Sequence, residues 1–290
     1  MANKLSERAM LVSLHRSGWG NSKVDKEITE DARARNNAER GSGRFTKVLV
    51  NPTFFNCVTR PLSQADAIYK RLTLPWTDGA RIMSSMAHLQ LSQEMYAQRQ
   101  VVEIGRRELL TKEADIHAEA QRRLGNMYNR DEYPSIDEIA DSFGFKVEFN
   151  KVPEGGDFRV NLANVTVKAI VKDIEDATKE RLEKATSDVF LRVFGVVDKM
   201  VKTLKEYEPK TDTSKGKNFK DSLVYNVREV ADLLPTLNIN LDPRIDALQV
   251  ELIDDLTQTP GAILKASDAA REACIAKAEK IIKKLQGYMP

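Results

Sequence analysis

The sequence has few of the residues that cross-link small domains or hold metal ions. It contains two cysteines, Cys57 and Cys274, which lie far apart and form no Cys-x-x-Cys pair, so a zinc ribbon is excluded. The three histidines, His15, His88 and His117, do not share helical spacing, which argues against a metal site. We therefore expect two reduced thiols in the core, no metal and no other cofactor.

Signatures of catalysis are also missing. No Gly-x-x-x-x-Gly-Lys-Ser/Thr loop is present, which argues against a P-loop nucleotide site, and no serine lies in a nucleophile elbow. The paired carboxylates Asp131-Glu132 and Asp137-Glu138 lie in a loop and at a helix start, where acidic residues stabilise the helix N-terminus. We expect a protein without enzymatic activity.

Long apolar runs are absent. No window approaches the roughly 18 consecutive apolar residues of a membrane-spanning helix. Residues Met1 to Arg8 also lack the apolar core of a secretory signal. The sequence therefore predicts a protein that has no membrane partner and works in a cytoplasm.

The net positive charge of the chain is small, and the excess of cations lies at one end. The chain has a net charge of only +2, whereas residues 1–80 hold 13 Lys/Arg against 8 Asp/Glu. Aromatic residues and glycines alternate with these cations. Because phosphates attract cations and unstacked bases lie on flat rings, this mixture favours single-stranded nucleic acid. The candidate binding residues, including two lysines of a later linker segment that could extend the track, are Arg16, Trp19, Lys23, Arg40, Arg44, Phe45, Lys47, Arg60, Lys70, Arg71, Lys215 and Lys217.

A simpler interpretation of this stretch stays open, in which the aromatic residues belong to the core and the arginines form a solvated face. The glycine loop Arg40–Arg44 offers a way to decide. We expect Arg40→Ala combined with Arg44→Ala to weaken DNA binding without lowering the melting temperature, because both side chains flank a flexible loop that can close on a backbone. Oligonucleotide titration and thermal melting check this, and an unchanged affinity would rule out the loop.

Hydrophobic periodicity predicts a mostly α-helical α+β protein. We expect a small antiparallel sheet, a long helical hairpin and a C-terminal helical region, with too few strands for an OB-fold. The predicted strands are 9–14, 45–50 and 81–86, with a turn at 75–79 and a β-hairpin at 145–162. The predicted helices are 23–38, 61–72, 89–127, 135–142, 165–207 and three more within 219–290. A capping box of Ser135 and Glu138 begins the helix 135–142, Asp242-Pro243 begins the second of the last three helices, and Thr259-Pro260 begins the third.

The longest predicted helices suggest how the chain is divided. The helices 89–127 and 165–207 would pair as the hairpin, inside a region covering 1–208. A polar linker at 209–218 would then lead to the helical region 219–290. The sequence leaves open whether the long helices pair within one chain or between the chains of a homo-oligomer.

Three segments near the N-terminus carry a resemblance to a known family. Lys4–Leu14 and Trp19, the charged stretch Val24–Ala34, and Gly43–Val50 resemble a tailed-phage family that is classified as a domain of unknown function. The resemblance extends over most of the chain and is strongest at its start. It consists of a residue pattern rather than a catalytic motif.

This resemblance implies a function. Members from phages that package an RNA polymerase in the virion are single-stranded-DNA-binding cofactors of a second phage RNA polymerase, with a fold unlike other single-strand binders. The expectation is thus an early phage protein that binds single-stranded DNA and a phage RNA polymerase during transcription initiation in the cytoplasm of the infected host cell. Other relatives are encoded beside ring-forming ATPases, so the alternative is a non-enzymatic adaptor or structural protein.

Overall fold

The protein is represented by a computed structural model that describes residues 4–153, 164–209 and 216–289. It is a mostly helical α+β protein with a small antiparallel sheet, which confirms the predicted fold class. The returning strand that was predicted after residue 157 lies outside the described residues, as does Lys215.

The described segments form short strands at the start of the chain and helices throughout. The strands are β1 (Ala9–Ser17), β2 (Ser22–Asp25), β3 (Phe45–Val48), β4 (Leu74–Thr77), β5 (Ala80–Ser84) and β6 (Gly144–Lys151). The helices are α1 (Leu5–Arg8), α2 (Lys26–Arg35), α3 (Asn56–Leu72), α4 (His88–Leu110), α5 (Glu113–Leu124), α6 (Ile136–Ser142), α7 (Asn164–Lys205), α8 (Ser222–Leu237), α9 (Pro243–Glu251), α10 (Gly261–Ala266) and α11 (Asp268–Gln286).

Two sheets organise the strands. One has the order β4-β5-β1-β6, and the other pairs β2 with β3. The predicted turn at 75–79 is wrong in part, because Pro75 and Trp76 belong to β4 and only Asp78-Gly79 makes the turn to β5. Pro75 is tolerated because β4 is an edge strand, and Gly79 takes the positive φ of +86° that a tight hairpin needs.

The chain folds into two units that do not follow the predicted boundaries. The larger unit contains residues 1–13, 70–89 and 148–290, and the smaller unit contains residues 14–69 and 90–147. The C-terminal helices therefore belong to the same unit as α7 instead of forming a separate region after a linker.

Helix α7 organises the core of the larger unit. The repeat of apolar residues in the sequence predicted a packed face of Leu182, Ala185, Val189, Val193, Val196, Met200 and Leu204. Five of them are buried and two, Leu182 and Val196, are half-buried, which confirms that face. The predicted partner is wrong: α7 packs against α11, α8 and β4, and its buried side chains share one core with those of the C-terminal helices. Periodicity identified the apolar face of α7 but could not identify the helix that covers it.

Helix boundaries in the smaller unit differ from the prediction at three places. The predicted helix 23–38 begins only at Lys26, because its first residues form β2 and the Asp25 side chain accepts a hydrogen bond from the Ile28 amide as N-cap. Helix α3 begins before Pro61, at Asn56, and includes that proline. The predicted helix 89–127 divides at Thr111-Lys112 into α4 and α5.

Capping signals located other helix ends correctly. Ser135 and Glu138 form the predicted capping box of α6, and the Asp242 side chain caps α9 with Pro243 in its first turn. The third C-terminal helix was predicted as one element but is interrupted at Ser267, whose side chain caps α11. Ser267 therefore ends α10 and begins α11.

Candidate nucleic-acid interface

Lys47, one of the predicted DNA contacts, is not a surface cation. Its side chain is 5% exposed, and its Nζ lies 3.1 Å from Asp25 Oδ2 and 2.8 Å from Glu132 Oε2. It also donates a hydrogen bond of 2.8 Å to the Met127 carbonyl. Desolvation by itself would lower the pKa of Lys47, but the hydrogen bonds to the two carboxylates outweigh it and raise the pKa. Lys47 therefore anchors β3 inside the smaller unit.

This ion cluster predicts a pH dependence of stability. The Ile28 amide and then Lys47 hold the pKa of Asp25 below its usual value of about 3.9. The contribution of Asp25 to stability is therefore fully present above that value and is lost as the pH falls through the lower pKa of the folded state. We expect Asp25→Asn, which keeps an N-cap, to be less stable than wild type at pH 7 and to approach it below about pH 4.

Urea unfolding at several pH values checks this expectation. Asp31→Asn is the matched control on the same helix, because the ion pair of Asp31 with Arg35 is exposed and contributes little at any pH. An Asp25→Asn protein with wild-type stability at pH 7 contradicts the anchoring role of Lys47.

Trp19, the predicted stacking residue, is half-buried. Its ring contacts Phe55 edge-on, with centroids 5.9 Å apart, and it packs against the apolar core of the smaller unit. Phe55 in turn contacts Phe143, whose ring would lie 3.2 Å from a Cβ at Gly18. The core interpretation therefore holds for Trp19.

The predicted loop cations are at the surface. Arg40 and Arg44 are exposed in the turn between α2 and β3, where Gly41 has a positive φ of +87°. Lys23 on β2 is exposed, and Phe45 on β3 is 39% exposed. These residues form an accessible cationic segment of the smaller unit.

The other predicted cations belong to both units. Arg60 is exposed on α3 in the smaller unit. Lys70 and Arg71 belong to the larger unit, as does Lys217, which is exposed and pairs with Glu208 in an isolated β-bridge. The predicted set is therefore divided between the two units.

A basic groove of about 500 Å³ lies in the smaller unit and includes one predicted residue, Arg16. It is formed by the end of β1, the start of β6 and the middle of α4. Its lining residues are His15, Arg16, Ser17, Arg99, Gln100, Val102, Glu103, Arg106, Gly144, Phe145 and Lys146.

Arg106 forms the floor of this basic groove. Its Nε donates to the Phe143 carbonyl at 2.8 Å, and its Nη2 donates to the Asp141 carbonyl at 3.1 Å. Its Nη1 lies 2.8 Å from Glu103 Oε1, so the single carboxylate of the lining is already paired. Gly144 keeps the floor open, because a Cβ there would lie 3.2 Å from the Arg106 guanidinium. Arg106 is thus held in place by the protein itself.

Two other arginines of the groove are available to a ligand. Arg16 and Arg99 are exposed, and neither has an ion-pair partner in the part of the chain that the structure describes. The Arg99 guanidinium lies over the Phe145 ring at 5.6 Å from its centroid. Together with Arg106 and Lys146, these two arginines make four cationic side chains in the lining of the groove, which has one carboxylate, that of Glu103. Such a concave, cationic lining attracts anions such as phosphates.

Sequence reasoning found Arg16 but missed Arg99, Arg106, Phe145 and Lys146. The alternation at Phe145-Lys146 predicted a strand, but the predicted partner was 158–162, which lies outside the described residues, and the pairing with β1 was not predicted. Without that neighbour relation, nothing in the sequence connects residues 15–17 to residues 144–146. The groove depends on this pairing.

The described residues also bear on other classes of site. Among them, no cluster of three His, Cys, Asp or Glu side chains is arranged to hold a metal ion. Every helix within residues 4–153, 164–209 and 216–289 is too short or too polar to cross a bilayer.

Comparisons with protein families, with curated proteins and with solved structures gave no match to this chain.

Proposed function

We propose that this protein binds single-stranded DNA through the basic groove of its smaller unit. The observation that carries the proposal is the pair of exposed arginines, Arg16 and Arg99, beside the anchored Arg106 in a concave surface with one carboxylate. Fixed guanidinium groups suit phosphates because their donors are planar and already oriented. A cavity of about 500 Å³ is large enough for part of a nucleotide strand.

The biological role in this proposal is that of a cofactor of a phage RNA polymerase at transcription initiation. That role depends on the resemblance of the N-terminal segments to the phage family. In this role the groove holds one strand of an opened promoter, while promoter choice comes from the polymerase.

The alternative, an adaptor that binds only proteins, is supported by the surface of the larger unit. A mostly apolar groove of about 400 Å³ between α7 and α8 is lined by Leu191, Val230 and Leu233 among others. Exposed apolar side chains at such a groove favour a protein partner. An adaptor of this kind has no need of a DNA-binding groove in the smaller unit.

Titration of a labelled oligonucleotide across salt concentrations separates the two functions. With Arg16, Arg99 and Lys146 on phosphates, we expect log K to fall with log salt with a slope of about −2, since each contact on a single strand contributes about −0.7. Single-stranded DNA should bind more tightly than duplex. An absence of binding at low salt would leave the adaptor as the remaining candidate.

A further inference from the structure

The basic groove has no Phe, Tyr or Trp ring that is free to stack on a base. Of the two rings in its lining, Phe145 is half-buried and has the Arg99 guanidinium over it, and His15, although exposed, has a smaller ring that already interacts with another residue. Trp19 packs on Phe55 in the core. Phosphate contacts alone do not distinguish a single strand from a duplex, because both have the same backbone. If the groove selects single strands, the stacking surface must lie beside it.

Tyr96 is such a surface. It is 65% exposed and lies on α4, one turn before Arg99 and Gln100, which both line the groove. No other Phe, Tyr or Trp residue of the described smaller unit exceeds this exposure, since the next, Phe45, is 39% exposed. Ile104, 63% exposed, continues the same helix face two turns further.

This face of α4 has the composition of a nucleic-acid contact. An exposed ring, Tyr96, is followed by the cation Arg99 and the amide Gln100, and then by the apolar Ile104. Eight residues at 1.5 Å each give a wall of about 12 Å, which corresponds to three or four stacked nucleotides at about 3.4 Å each. Val101, which is 41% exposed, adds apolar surface beside Gln100.

We infer that Tyr96 is the stacking residue that gives the proposed DNA site its preference for single strands. A base at the end of the groove places its face on the Tyr96 ring while Arg99 holds the adjoining phosphate. Duplex bases have both faces covered by their neighbours, so a duplex gains nothing from this ring. This inference rests on the proposed function and names the feature of DNA that the site recognises, which is the open face of an unstacked base.

Fluorescence anisotropy with two probes, an octameric oligothymidylate and a short duplex of mixed sequence, tests the inference. We expect Tyr96→Ala to bind the oligothymidylate about tenfold more weakly and to bind the duplex as wild type does. Tyr96→Phe should retain wild-type affinity because it keeps the ring, whereas Tyr96→Leu should behave like the alanine variant. Tyr225→Ala is the control, because Tyr225 is 64% exposed on α8 in the larger unit.

The possible outcomes separate this inference from the proposed function. Wild-type binding of the single strand with no loss in Tyr96→Ala overturns the role of Tyr96 but leaves the groove as the DNA site. Equal losses for single strand and duplex, or full rescue by leucine, also overturn it, because neither indicates stacking. A wild-type protein that binds neither probe overturns both proposals.

Discussion

Replacing Gly105 by alanine is expected to destabilise the protein by about 3 kcal/mol. Gly105 lies in the middle of α4 and is buried against α3. A Cβ at this position would press on the carbonyl group of Cys57, with its carbon at 2.8 Å, and would lie 3.2 Å from Val58 Cγ1. Because the obstacle is helix backbone, a rotamer change cannot relieve the overlap.

The reason for this close approach is found in α3. The Cys57 carbonyl would normally accept a hydrogen bond from the amide of the residue four positions later. That residue is Pro61, which has no N–H. The carbonyl instead faces the Cα of Gly105. A glycine in one helix and a proline in the other therefore allow α3 and α4 to pack closely.

The control for Gly105 is another helical glycine, Gly195 on α7. A Cβ at Gly195 would meet no atom within 4 Å. Gly195→Ala should therefore stabilise the protein by about 0.5–1 kcal/mol through helix propensity alone. Urea and thermal unfolding measure both variants. Equal effects of the two substitutions would contradict the packing of α4 on the Cys57 carbonyl.

The second large effect concerns DNA. We expect Arg16→Ala combined with Arg99→Ala to weaken binding of single-stranded DNA about 30-fold at low salt, since two charged contacts are lost from an exposed site. The slope of log K against log salt should fall from about −2 to about −0.7, because one of three phosphate contacts remains. The melting temperature should stay close to the wild-type value, as both side chains are exposed.

A variant with the same loss of charge elsewhere makes this result specific. Arg228 on α8 and Lys280 on α11 are exposed cations of the larger unit. Arg228→Ala combined with Lys280→Ala lowers the net charge equally and should leave affinity and salt slope almost unchanged. If both double variants lose the same affinity, the binding arises from overall charge and the groove is not its site.

Much of the fold followed from local patterns in the sequence. The buried residues of α7, the capping box at Ser135 and the cap at Asp242 were all predicted, because each depends on neighbours within a few positions. The largest errors involved relations over long distances in the chain. One partner of α7, β4, ends more than 80 residues before α7 begins, and helical periodicity carries no information about such a partner.

The prediction of the DNA-binding residues was limited in the same way, because it also depended on contacts between distant parts of the chain. A basic and aromatic composition pointed to residues 1–80, yet Lys47 is buried between carboxylates and Trp19 packs in the core. Composition counts charges but not their partners, so it could not separate Lys47 from Arg16. Arg99 belongs to the groove only because α4 lies beside the ends of β1 and β6.

The most direct test of the DNA-binding proposal is photocrosslinking of the wild-type protein to a single-stranded oligonucleotide that carries iododeoxyuridine, followed by mass spectrometry. We expect crosslinks in the three segments around the basic groove, 14–19, 95–106 and 144–147, which include Tyr96 and Phe145. Crosslinks confined to the Arg40–Arg44 loop or to the larger unit would contradict it.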